Sequence, residues 1–186
     1  MTAMSILHPT YIRPGKEEVI AGWLVNQDFY QGNGAPELVK VGGFRLEDPE
    51  GEVGIEMRIV SDRSGQIETI YHVPMTYRSQ PLAGAQDFLI GTAEHGVLGT
   101  RYFYDAVGDP VFIAQIQAFA AGQVPAHSQD IDGALEERVQ IAGDAAGGPL
   151  QVIRVLAAGE PETAGVVGFW TDAAGAEHTG LVLRTA

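Results

Sequence analysis

The side chains in this chain that can move protons, pair with ions or stack on a ring gather in one stretch: Tyr77-Arg78, then Glu94-His95, then Arg101 to Asp105. Two aromatic hydroxyls, a guanidinium and a carboxylate on one short strand and its exit can line a ligand cleft. The candidate binding set is therefore Tyr77, Arg78, His95, Arg101, Tyr102 and Asp105, and Glu94, His95 or Asp105 is the candidate acid or base. A structural reading of the same residues is the stronger one. Arg101 with Asp105 or Glu94 makes an ion pair that fixes the long connection, and Tyr102, Phe103 and Tyr104 serve as core and rim. The five histidines, His8, His72, His95, His127 and His178, include no two at the i, i+4 spacing of a helical zinc site. No nucleophile elbow, Walker sequence or dinucleotide fingerprint occurs. Gly42-Gly43 reads as a strand bulge or kink rather than a phosphate cradle. No catalytic residue, metal ligand or cofactor is expected.

Bulk properties narrow the field further. At 186 residues with 45% hydrophobic and 19% charged residues, the chain reads as one large folded domain or two small ones. A formal net charge of -13 opposes binding to nucleic acid or to anionic lipid. The absence of cysteine excludes disulfides and thiolate chemistry. No apolar run approaches a bilayer-spanning length, and the first residues lack the pattern of a secretory signal, so a cytoplasmic protein is expected.

The elements that must position these residues centre on Val41 to Val60. There Phe44 and Leu46, then Val53, Ile55, Met57 and Ile59, alternate with Arg45, Glu47, Glu52, Gly54, Glu56 and Arg58. Period-two alternation predicts a hairpin with one row on the core and the charged row toward water. Asp48-Pro49-Glu50-Gly51 supplies the turn. Upstream, a strand over Ser5 to Ile12 precedes a helix over Lys16 to Tyr30. Its Ile20, Trp23 and Leu24 are expected to pack on the sheet face that carries Val53, Ile55 and Met57. Downstream, a strand from Ile67 to Arg78 carries Pro74, which predicts an edge or a bulge. Residues 79–96 read as an irregular connection, Val97 to Tyr104 as a strand, and Asp109-Pro110 as the start of a second helix that ends at Gly122. Past a polar connector at 123–133, strand-length apolar runs at 139–142, 150–156, 163–171 and 178–184 predict antiparallel hairpins. The expected organisation is a domain over 1–122, the connector, and a β extension over 134–186 that packs on the same sheet or forms a small second one.

The runs VGGFRLEDPEGEVGIE and VPMTYRSQPLAGAQDFLIGTAEHGVLGTRYFYDAVGDPVF, with AGWLVNQDFY before them, resemble the N-terminal cap domain of maltokinases. They are also similar to short stand-alone cap-like proteins labelled as 1,4-alpha-glucan branching proteins. The resemblance implies an α+β fold, a cystatin-like curved antiparallel sheet packed on an N-terminal helix. A second helix and the C-terminal β extension would complete it. In maltokinases the cap precedes a kinase that makes maltose 1-phosphate from ATP and maltose. Here no kinase catalytic-loop motif follows residue 122, so kinase activity is not carried over. The branching label is not carried over either, because a glycosyl-transferring barrel needs more chain and paired carboxylates.

Three functional readings follow. The first is a non-catalytic accessory module in alpha-glucan or trehalose metabolism, docked on a kinase or another enzyme of that pathway. The second is a binder of a sugar or sugar phosphate in the space between sheet and helix, lined by Tyr71, Tyr77, Arg101, Tyr102 and Tyr104. The third, an enzyme built on Glu94, His95 or Asp105, meets no catalytic template. The apolar runs of the tail would cover sheet edges or bury against a second copy in a homodimer.

Overall fold

The computed structural model of this chain describes residues 11–186. Most of the strand proposed over Ser5 to Ile12, and His8 with it, lies outside the described residues. In chain order the elements are β1 (Ile12–Arg13), α1 (Lys16–Leu24), β2 (Leu38–Leu46), β3 (Gly54–Asp62), β4 (Thr69–Arg78), β5 (Leu89–His95) and β6 (Gly99–Asp105). Then come α2 (Pro110–Ala120), β7 (Gln140–Ala142), β8 (Leu150–Val152), β9 (Gly165–Thr171) and β10 (Glu177–Thr185). This is an α+β protein with a large antiparallel sheet. Its strand order is β1-β5-β6-β4-β3-β2-β9-β10-β8, with β7 alongside β9.

Local chemistry accounts for the central hairpin. The Asp48 carboxylate accepts hydrogen bonds from the backbone N–H groups of Glu50, Glu52 and Val53, which closes the turn between β2 and β3. The Asp109 side chain caps α2 by accepting from Val111 N–H, with Pro110 at the first helical position. β5 occupies part of the segment expected to be irregular. Its Leu89-Ile90-Gly91-Thr92 run lacks clean alternation, because only Ile90 and Ala93 are buried.

The two faces of β3 are both covered, and this corrects the expected docking of the first helix. Phe44, Leu46, Ile55, Met57 and Ile59 pack with Phe112, Ile116 and Phe119 of α2. α1 lies on the opposite face, where Val19, Ile20 and Leu24 meet Val60, Tyr71, Val73, Met75 and Phe103. Trp23, half-buried, belongs to that second cluster and tilts against Phe29 at 5.9 Å between ring centroids. The row expected to face water, Glu56 and Arg58, therefore lies beneath α1 and is buried. Alternation reports two faces; it does not say that the charged one is wet when a helix brings charges of its own.

The C-terminal strands roll the sheet up. β9 joins β2 at Gly42, whose missing Cβ leaves room for the Phe169 carbonyl 2.1 Å from where that atom would stand. β10 pairs with β9 and β8 with β10. The chain beyond β8 then returns to β4: His72 N–H donates to Arg154 O, Leu156 N–H donates to Ile70 O, and Val155 bridges Tyr71. The circuit β4-β3-β2-β9-β10-β8 is thereby closed, and Val166, Val182, Leu183 and Leu156 fill it with Ile59 and Ile70. Pro74 is explained by the same arrangement. On one side of β4 it pairs with Met57. On the other, β6 ends with Asp105 opposite Met75, and the 154–156 segment starts with Arg154 opposite His72. Its missing N–H falls at that change of neighbour, so no ladder bond is lost.

Candidate functional site

The proposed binding residues are set by the registers of β4, β5 and β6. Tyr77 is opposite Phe103, Arg78 opposite Tyr102 and Met75 opposite Asp105. Ala93 is opposite Arg101 and His95 opposite Gly99. Side chains opposite one another share a face, so Tyr77, His95, Arg101 and Asp105 project to the α1 side while Arg78 and Tyr102 project to the other. Along β6, Asp105 and the position opposite His95 are six residues apart, or about 20 Å at the rise of an extended strand. Glu94 lies on the opposite face from His95 and accepts from the Thr100 hydroxyl. Glu94, His95 and Asp105 thus do not meet in one pocket.

Five of the six also have local work. Arg78 makes a bidentate ion pair with Asp109, 2.8 Å from Nε and 2.8 Å from Nη2, which ties the end of β4 to the cap of α2. Burial would raise the Asp109 carboxyl, but Arg78, Thr76 and Val111 N–H more than offset it and hold it below its usual range. Asp105 pairs with Arg154 across the junction beside Pro74, and burial pushes its carboxyl up against the opposing pull of that guanidinium. The Tyr77 ring packs on Phe103 at 5.7 Å and carries Lys16 Nζ at 5.1 Å from its centroid. His95 Nδ1 accepts from the backbone N–H groups of Val97 and Leu98, shaping the β5–β6 turn. Arg101 is half-exposed and reaches the Thr100 carbonyl at 3.4 Å, while Tyr102 is half-buried.

The densest charge chemistry lies elsewhere, under α1. Glu56, with its side chain 3% exposed, bridges Lys16 and Arg58, and Arg58 Nε donates to Glu17 at 2.9 Å. Burial would raise the Glu56 carboxyl, but the two cations bring it down to about 2. Two carboxylates and two cations alternate, so every buried charge has an opposite neighbour. The sequence carried one signal for this. The first turn of α1 opens with Lys16 and Glu17, and β3 presents Glu56 and Arg58 at i, i+2 on one face. Complementary charges on two elements that must pack are a docking code. Arg154, the partner of Asp105, is about fifty residues away in sequence, and nothing local indicates the pairing.

The space between α1 and the sheet is filled by the side chains of the second core cluster, including Tyr71, whose hydroxyl accepts from Gln31 N–H at 2.9 Å. Tyr104 lies on the far face, where its hydroxyl accepts from Leu82 N–H. Among the described residues no group of three or more His, Asp and Glu side chains is arranged to hold a metal ion. No helix among them is long and apolar enough to cross a membrane. No curated protein matches the chain. Residues 23–109, which span the end of α1, the whole of β2–β6 and the cap of α2, match the family model of the maltokinase N-terminal cap domain.

Proposed function

From the match of residues 23–109 to a maltokinase N-terminal cap domain, we propose that this protein is a cap-like accessory module without catalysis of its own. It acts in the cytoplasm by docking on a sugar kinase or another enzyme of alpha-glucan or trehalose metabolism. The observation that carries this reading is how the remaining residues are used. α2 and β7–β10 cap and close the sheet of the matched segment rather than adding a second catalytic layer beside it. The polar residues of β4–β6 support it as well, since Arg78 and Asp105 are engaged in ion pairs that join elements. A homodimer is the less supported mode of association. The tail residues that would form it, Leu156, Val166, Phe169, Trp170, Val182 and Leu183, are buried within the chain.

The test is affinity capture of the intact tagged protein from its native cells, followed by kinase and glucan-transfer assays with and without added protein. The expected result is co-purification of one such enzyme and a change in its kcat or KM on titration. Recovery of no sugar-active enzyme would overturn the docking claim. Phosphorylation of maltose by the purified protein alone, lost in Asp105→Asn, would overturn the non-catalytic one.

A further inference from the structure

A cleft of about 680 Å³ opens at the far end of α1 from Lys16, between the loop that follows the helix and the β3–β4 hairpin. Its volume falls within the range of roughly 300–1,000 Å³ in which proteins hold small molecules. The loop is closed on itself and tied to the other wall. Tyr30 Oη donates to the Gly34 carbonyl at 2.7 Å within the loop, and Gln31 N–H donates across to Tyr71 Oη at 2.9 Å. Glu37 N–H donates across to the Asp62 carboxylate at 3.0 Å. Gly32 lies so close over the Tyr30 ring that a Cβ there would stand 2.2 Å from the phenolic oxygen. The loop is thus held in one shape before any ligand arrives, which lowers the ordering cost of binding.

The lining chemistry selects a ligand class. The cleft is lined by the amide residues Gln31, Asn33 and Gln66 and by Ser64 and Thr69, whose hydroxyls also bond the Tyr30 and Tyr71 phenols, with glycine backbone between them. Amides and hydroxyls each offer both donors and acceptors, as a ligand covered in hydroxyls requires. No lysine or arginine lines the cleft, and the chain carries a net charge of -13, so anionic ligands lack a counter-charge. The single carboxylate, Asp62, is buried and already accepts from Glu37 N–H and Ser64 N–H. It is thus engaged by backbone donors of the two loops. Ile67, 82% exposed on the rim, offers an apolar surface for the C–H face of a ring. We propose that this cleft binds a neutral polyhydroxylated ligand, a short saccharide of one to three rings. The inference stands independently of the accessory role, since it rests on the cleft alone.

The experiment is amide NMR titration of the full chain with maltose, maltotriose and inorganic phosphate, alongside the exposed-residue variants Asn33→Ala and Gln66→Ala. The expected result is saturable shifts confined to residues 31–35 and 62–69 with a saccharide and none there with phosphate. Each variant, folded by its unchanged spectrum elsewhere, should bind about fivefold more weakly, the worth of one hydrogen bond. Absence of shifts in both loops at millimolar saccharide would overturn the proposal. So would shifts mapping elsewhere, a stronger response to phosphate, or variants that bind like the parent.

Discussion

At the residue scale, buried ionisable groups make this fold sensitive to acid. His72 is fully buried, with Nδ1–H donating to the Val182 carbonyl at 3.1 Å, and burial followed by the nearby Arg154 charge lowers its pKa to about 3. A histidine depressed from 6.5 takes up its proton in the unfolded chain first, so stability is lost as pH falls from about 6.5 toward about 3. Glu56, depressed from 4.5 to about 2, stabilises above pH 4.5 and loses that contribution as pH falls toward 2. Denaturant titrations between pH 7 and pH 4 should show stability falling, with a slope that approaches about 1.4 kcal/mol per pH unit from His72 below pH 6. His72→Gln should flatten that slope, and an unchanged slope would refute the assignment. Glu56→Ala leaves Lys16 and Arg58 buried without their shared counter-ion. It should cost about 3–5 kcal/mol by urea unfolding at neutral pH. A cost below 1 kcal/mol would mean that α1 does not depend on the cluster.

At the scale of elements, two joints hold the molecule together, and each has a residue that cannot be enlarged or removed quietly. At Gly42 the backbone of β9 takes the space of a side chain. Gly42→Val should therefore destabilise by about 1–3 kcal/mol or more as β9 is pushed from β2, and hydrogen exchange should speed up first in β9 and β10. Uniformly faster exchange across β2–β6 would instead place the damage in the central hairpin. The second joint is the Arg78–Asp109 pair that ties β4 to α2. It explains why an arginine that looks ready to bind a ligand is engaged, since a helix N-terminus favours the carboxylate and that carboxylate holds the guanidinium.

At the scale of the whole molecule, the tail completes the core of the matched segment. Val166, Val182 and Leu183 share one apolar cluster with Ile59, Met57 and Phe44. Truncation after Gly122 should expose that cluster and the outer side of β4 at Tyr71. We expect a product that binds a hydrophobic dye, lacks sharp side-chain resonances and unfolds without a cooperative transition. A sharp, cooperatively unfolding fragment would show that the first 122 residues are self-sufficient.

The sequence alone determined the features in which neighbours along the chain supply the physics. The central hairpin was legible because alternation and an Asp-Pro-Glu-Gly turn are local. The cap of α2 was legible because Asp-Pro is a local start signal, and the β9–β10 hairpin because two apolar runs flank one short turn. The hairpin expected across 144–149 does not form, since β7 pairs with β9 and β8 with β10. Tertiary structure decided the rest. It placed α1 over Glu56 and Arg58 instead of Ile55 and Met57, a choice made by charges on Lys16 and Glu17 that meet β3 some forty residues later. It spread Tyr77, Arg78, His95, Arg101, Tyr102 and Asp105 over two faces, because register within β4–β6 is fixed by pairing between strands and not by residue type. It closed the sheet through Arg154 and Leu156 onto β4, and it formed a cleft from two loops about thirty residues apart whose polar side chains carry no motif in sequence. Long-range pairing of buried charge and strand edges depends on which surfaces meet in space, and one-dimensional spacing does not encode that.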